Sequence, residues 1–582
     1  MKSARKDQSQ FAAPCQWQSA RLLRVLRAAA LLPLALITGG CFPEDEAPYF
    51  GRVVVPQRQE LRWSDGGLPR VFDPALAPAP PDTDAVRAMF EGLTELDAET
   101  LRPLPAVASD WKSSAGGREW TFTLRRDARW SNGDPVTAHD FVRSWRRALN
   151  LGQKAAHAAL MEKIAGARAL RNAPEEARDS TVEVFGAEAL DDHVLRVRLR
   201  EPDPDFPVVV SHPVFRPVHR SADEQGTAAV VNGPFALDRA DGQEVQLVRR
   251  ADYWDARAVA LERVRFIAAE GEEALARYRA GELDVVTNIA LEPAAVKLLA
   301  SYKDYRRGTF GALTFYLFNV THAPLNDRRV RESLVRAIDR ERLVRDVLGG
   351  IGEPATKFLP FGPSPSADAR LSYDVARARA LLAEAGFPSG HHFPRLKLLV
   401  NRNEQHRLVA EAVAAMWRNA LGIETEVIVK SWEEYEAALR AGDYDVARRS
   451  AVVPSASARA SIKHMFALPS DAFFERDSRG QPAIAEIEAD RWLIAPLTVE
   501  TEDDALREWP AAPLYFASSI SLVRPYVIGF DGGLFDAPTL KFVRLDLGWR
   551  PPQRKGATLG AESDLDHHPA CCRGRFESEA GD

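Results

Sequence analysis

Cysteine is nearly absent: the chain has four among 582 residues, Cys15, Cys41, Cys571 and Cys572, and none from Phe42 to Ala570. A body without thiols excludes a disulfide framework, a cysteine nucleophile and a thiolate metal site. It suits an oxidising compartment, where stray thiols are a liability. Positive charge is also short, with 76 Lys and Arg against 82 Asp and Glu and a net charge of −6. Nucleic-acid binding needs a basic face to neutralise phosphates, so it is not the main activity. The motifs of several enzyme classes are missing too: there is no GxSxG elbow, no HExxH helix and no P-loop. Glu404 and His406 stand two apart and would not share a helix face. The chain reads as a non-enzyme without cofactor or metal.

What is present begins with an export leader. Residues 1–27 carry Lys2, Arg5, Lys6, Arg21, Arg24 and Arg27 against Asp7 alone, a surplus of +5. The apolar run Ala28–Ile37 follows, too short for a comfortable membrane span, and then Thr38-Gly39-Gly40-Cys41. This ending resembles a bacterial lipoprotein signal, in which the cysteine becomes the lipidated first residue. Thr38 departs from the aliphatic residue usual at its position. Cleavage before Cys41 would take the net charge from −6 to −11, because all of that surplus lies in the leader.

The length suggests roughly three or four domain-sized units, and the 46% apolar, 27% charged composition is that of a globular protein. Alternation predicts strands over Trp120–Arg126, Val194–Arg200 and Leu396–Val400. Helical spacing runs over Arg329–Leu348, Tyr373–Phe387 and from Glu404 to Ile423, with a strand after the last. Thr137 or Asp140 is placed to cap the helix that carries Trp145. This β–α–β succession predicts sheets covered by helices, an α/β protein. Beyond Gly548 no apolar periodicity remains, so residues 548–582 read as a disordered tail in which His567, His568, Cys571 and Cys572 form no metal site.

The stretch WTFTLRRDARWSNGDPVTAHDFVRSWRRAL at Trp120–Leu149 resembles the signature region of the solute-binding proteins of peptide and nickel ABC importers, the oligopeptide-binding type. Further matches follow in family order: VVNGPFAL at Val230, DYWDA at Asp252, YRAGELDVV at Tyr278, PLNDRRVRESLVRAIDR at Pro324, MWRNALGIE at Met416 and DYDVAR at Asp443. The resemblance spans about residues 60–547. It implies a two-lobed periplasmic-binding-protein fold of type II with an extra domain inserted beside the first lobe. The division it implies is 1–40 signal, 41–90, 208–308 and 517–547 first lobe, 91–207 inserted domain and 309–516 second lobe. It also implies a monomer in the periplasm or cell envelope, anchored through Cys41, that closes on a peptide or peptide-like ligand and hands it to a permease and ATPase. A diverged, non-transporting envelope lipoprotein on the same fold is the alternative.

One segment departs from that family. Between Asp445 and Asp471 the sequence has Arg448, Arg449, Arg459 and Lys463 but no carboxylate. In peptide-binding members an Asp in this stretch pairs with the peptide's ammonium; counting from DYDVAR puts its position at Pro454, which also lacks an N–H. The family's Gly and Trp positions become Ser450 and Ala451, an acidic position becomes Pro78 and an aromatic one Ala517. Asn401, His406 and Arg448 match ligand-contact positions in register. Arg448, with Arg449 or Arg440, would meet an anion. The resemblance leaves three options: a ligand without a free amino terminus, an anionic ligand, or a cleft that no longer binds.

Overall fold

The structure, a computed structural model, describes residues 48–155, 157–172, 185–222, 230–287, 293–362, 371–466, 497–530, 534 and 538–551. The leader, Cys41 and the tail residues 552–582 lie outside the described residues.

Strand β1 (Glu60–Ser64) opens the chain's largest sheet. A separate four-stranded sheet follows from β2 (Ala108–Ser114), β3 (Glu119–Leu124), β4 (Ala187–Asp191) and β5 (Val194–Arg198), paired antiparallel in the order β2-β3-β5-β4. Its strands alternate as the sequence predicts, with Trp120, Phe122 and Leu124 buried along β3. Helix α1 (Ala138–Asn150) begins at a reciprocal cap, where Asp140 Oδ2 accepts from the Thr137 N–H at 2.9 Å. Phe141, Trp145 and Leu149 then recur on its buried face, and Trp145 Nε1 donates to Phe215 O at 2.8 Å.

The remaining strands return to the large sheet: β6 (Phe235–Ala240), β7 (Glu244–Arg249), β8 (Arg263–Ile267), β9 (Val285–Val286), β10 (Tyr305–Phe318), β11 (Glu353–Pro354), β12 (Leu396–Asn401), β13 (Thr425–Lys430), β14 (Val446–Val452) and β15 (Ala511–Val523). Their order is β13-β12-β14-β10-β15-β9-β1-β8-β7-β6, with β11 also on β15. The sheet is mixed: β12 is parallel to β13 and β14, and β1 is parallel to β8 and β9.

Two bodies share this sheet, each with its own core. The first buries Leu61, Trp63, Phe90, Trp145, Phe206 and Phe266. The second buries Leu313, Phe315, Leu334, Trp417, Ile462 and Phe516. The long strands β10 and β15 are paired to each other through both bodies. Tyr305–Thr309 pair with Leu522–Ser518, the register slips, and Leu313–Leu317 pair with Phe516–Ala511. At the slip, Phe310, Gly311 and Ala312 face Ala517 alone, a bulge at the crossing. Gly311 is required there: a Cβ would come within 2.6 Å of Val453 Cγ2 and 2.9 Å of Leu534 O.

One expectation needs correction. The helical period from Arg329 to Leu348 is not one helix. The chain forms Arg328–Arg336, breaks, and restarts where the Asp339 side chain accepts from the Arg342 N–H, continuing as a wider turn over Leu343–Val347. Periodicity survived the break because both pieces pack on the same core.

Candidate functional site

The second body gathers three of the expected residues at the start of one helix. Strand β12 ends at Asn401, and Asn403 caps helix α2 (Glu404–Leu421) by accepting from the His406 N–H at 3.1 Å. That cap puts His406 in the first turn, where its Nδ1 lies 2.9 Å from Asn401 Oδ1. With Asn401 Oδ1 as acceptor, the ring proton sits on Nδ1 and Nε2 keeps a lone pair. Asn401 itself is buried.

Arg448 comes to this point on β14, directly across from Tyr316 on β10. Its guanidinium is close enough to His406 that, after burial, it is the second cause holding the imidazole down to a pKa of about 3. His406 is therefore neutral at physiological pH and Arg448 carries the local charge. No carboxylate pairs with Arg448 among the described residues, and its Nε is buried without a hydrogen-bond partner. The Arg448 carbonyl is taken by the Tyr435 hydroxyl, which fixes the strand against helix α3 (Trp432–Ala441).

Strand alternation sorts the neighbours. Arg448, Ser450 and Val452 are half-buried on one face, and Pro454 continues the alternation as half-buried. Arg449 and Ala451 are each 2% exposed on the other. Ala451 is thus packed in the second core, while Ser450 shares the half-buried face of Arg448. Arg440 also falls away from the group: it is exposed on α3 and pairs with Glu436 one turn back at 3.0 Å. A lone cation at a helix C-terminus looks the same in sequence whether it faces a cleft or the solvent.

Pro78, in the first body, offers its carbonyl 3.0 Å from His157 Nε2, and the His157 and His212 rings lie 4.6 Å apart. His464, on helix α4 (Ala458–Met465), is held down to a pKa of about 4 by burial first, then by His157 and Arg449. Burial first, then His157, Arg87 and Arg216, hold His212 well below its ordinary value as well. These histidines carried no signal in the sequence, being single and far apart. His212 and His464 are therefore both neutral imidazoles at physiological pH.

Residues 102–470 match the family described as bacterial extracellular solute-binding proteins, family 5 middle. The periplasmic murein peptide-binding protein MppA of Escherichia coli (strain K12) is 33% identical over 420 residues, which cover 68% of this chain and 76% of that one. The periplasmic oligopeptide-binding protein OppA of Salmonella typhimurium is 29% identical over 533 residues, 87% of this chain and 95% of its own. The probable deoxycholate-binding periplasmic protein YgiS of Escherichia coli (strain K12) is 30% identical over 82% of this chain and 91% of its own. The solved unliganded open form of MppA superposes with a TM-score of 0.71 at 27% identity, covering 84% of this chain and 98% of that one. Another structure of Escherichia coli MppA gives 0.59 at 28% identity, over 85% and 99%.

Proposed function

The chain belongs to family 5 of the bacterial extracellular solute-binding proteins, and from this premise we propose that it is the binding component of an ABC importer. It takes a peptide or peptide-like ligand between its lobes outside the cytoplasm and presents the closed form to a membrane permease, performing no chemistry itself. In this reading Cys41 carries the lipid anchor. The first lobe is 41–90, 208–308 and 517–547, the inserted domain 91–207 and the second lobe 309–516.

The observation that carries the ligand assignment is Arg448, a partly buried guanidinium beside a neutral His406 with no carboxylate against it among the described residues. A ligand carboxylate or other anion would complete that set with charge-assisted hydrogen bonds. The ammonium side of peptide recognition has Pro454 where the family's Asp is expected, so the preferred ligand lacks a free amino terminus. Relatives named for murein peptides, oligopeptides and, provisionally, deoxycholate support a scaffold whose ligand chemistry varies. The TM-score of 0.71 against the unliganded open form supports reading the arrangement described here as the open one.

Native mass spectrometry of the mature protein purified from its own host, followed by release and identification of the bound molecule, tests the proposal. An anionic ligand without a free amine is the expected result. Peptides with free amino termini would overturn the role given to Pro454. A protein that carries nothing and takes nothing from a peptide library would overturn the binding function.

A further inference from the structure

Away from Arg448, a second set of charges joins the two bodies directly. Glu201 follows β5 and sits between Leu199 and Phe206, both in the first core. Opposite it lies α4, which sends Ile462 and Met465 into the second core. Glu201 Oε2 accepts from Lys463 Nζ at 3.0 Å and from Arg459 at 3.4 Å. On the second body's own side, Glu500 holds Arg459 at 2.5 Å and Lys463 at 3.6 Å. Two cations and two carboxylates thus alternate across the gap.

Two weaker bonds extend the contact along the same face. The Pro202 carbonyl accepts from Arg459 at 3.5 Å, and Asp205 Oδ2 accepts from the Ser457 hydroxyl at 3.5 Å. Ser457 is the N-cap of α4, its Oγ accepting from the Ala460 N–H at 3.3 Å. Asp205 therefore places a carboxylate of one body at the positive end of a helix of the other. The four charged side chains remain 28–55% exposed, so water and salt reach them.

We propose that this cluster is an electrostatic brace that sets the angle between the lobes in the ligand-free protein, an inference that rests on reading the described arrangement as the open one. The brace is separate from the ligand group at Arg448 and acts on the equilibrium between arrangements. Its removal changes how much of the empty protein occupies the described angle, and ligand affinity follows from that population.

The thiol-free body makes the test direct. Cysteines introduced at Leu237 in the first body and Leu408 in the second, both exposed, carry spin labels, with Cys41, Cys571 and Cys572 changed to serine. Distances between the labels are then measured on the ligand-free full mature chain. The parent at low salt is expected to give one narrow distance matching the structure. Glu201→Gln, or about 1 M salt, should raise the population outside that peak about two- to five-fold, the range of an exposed ion pair. Reversing all four charges together, Glu201→Lys and Glu500→Lys with Arg459→Glu and Lys463→Glu, should narrow it again, which mere misfolding would not do. If Glu201→Gln leaves the distribution unchanged while the parent matches the structure, the brace is wrong and the open reading stands. If the parent itself is centred on another distance, the open reading fails and the brace fails with it.

Discussion

Arg524 and Arg448 are both withdrawn from bulk water, one in each body, and their surroundings differ in one respect. Arg524 is fully buried; its guanidinium lies 3.7 Å over the Tyr278 ring, donates to Phe50 O at 3.0 Å and meets Asp304 Oδ2 at 3.3 Å. Asp304 is shared further, accepting from the Tyr278 hydroxyl at 2.8 Å and the Phe50 N–H at 2.9 Å. Arg448 has a neutral imidazole and a tyrosine near it instead, and no carboxylate among the described residues. Both leave Nε without a hydrogen bond, so an orphaned nitrogen does not distinguish them. The missing counter-ion does. A guanidinium held against a carboxylate is committed to the fold, while one without a counter-ion is available to something that arrives later.

The comparison breaks most visibly on the structural side. Asp304→Ala should cost about 3–5 kcal/mol of unfolding free energy, because it strands the Arg524 charge in the core. Denaturant unfolding measures this, and a loss under about 1 kcal/mol would mean that Arg524 is not held by its carboxylate. Arg448→Ala should do the reverse. Stability should change by less than about 1 kcal/mol, while affinity for the released native ligand falls by roughly 10–100-fold, the worth of a charge-assisted bond. Titration calorimetry reads the second quantity. Arg440→Ala, which removes only an exposed helical pair, should move neither by more than about 0.5 kcal/mol.

A smaller effect sharpens the contrast through pH. His406 is held down to about 3, below its ordinary 6.5, by burial and by Arg448. The unfolded chain therefore binds a proton here that the folded chain refuses between those two values. Stability is fully present above pH 6.5 and is lost as pH falls. His464, held near about 4, acts with the same sign. Between pH 6.5 and 5 the His406 share should be about 1–2 kcal/mol. Urea unfolding at stepped pH checks it: His406→Gln should flatten the slope by that share, and an unchanged slope would remove His406 from the charged group.

Much of the fold was legible because it rests on local patterns. Alternation along Glu119–Leu124 and Val194–Arg198, and the cap at Thr137, are written within a few residues of where they act. The break at Asp339 was not, since helical spacing continued through it. Asn401, His406 and Arg448 could be placed by register with a family, but Ala451 could not be assigned to the core until the parity of β14 was known. The acid-free segment was the clearest anomaly in the sequence, and its four cations have divided. Arg459 and Lys463 find carboxylates, Arg448 does not, and Arg449 turns inward. Glu201 and Arg459 stand 258 residues apart, so no reading of spacing could have joined them.

The crossing at Gly311 has a mechanical consequence. Its N–H donates to Leu534 O at 3.0 Å and its carbonyl accepts from the Val453 N–H at 2.7 Å, so for this residue the ladder between β10 and β15 is exchanged for anchors on either side. A ribbon that is stiff above and below such a point folds along a crease and does not bow along its length. In the closing motion proposed above, the two bodies would act as levers pivoting on a few torsions, with small rotations at the crease becoming large displacements at the far rims. With almost no room for even a methyl group at Gly311, that pivot is also where the chain tolerates least alteration.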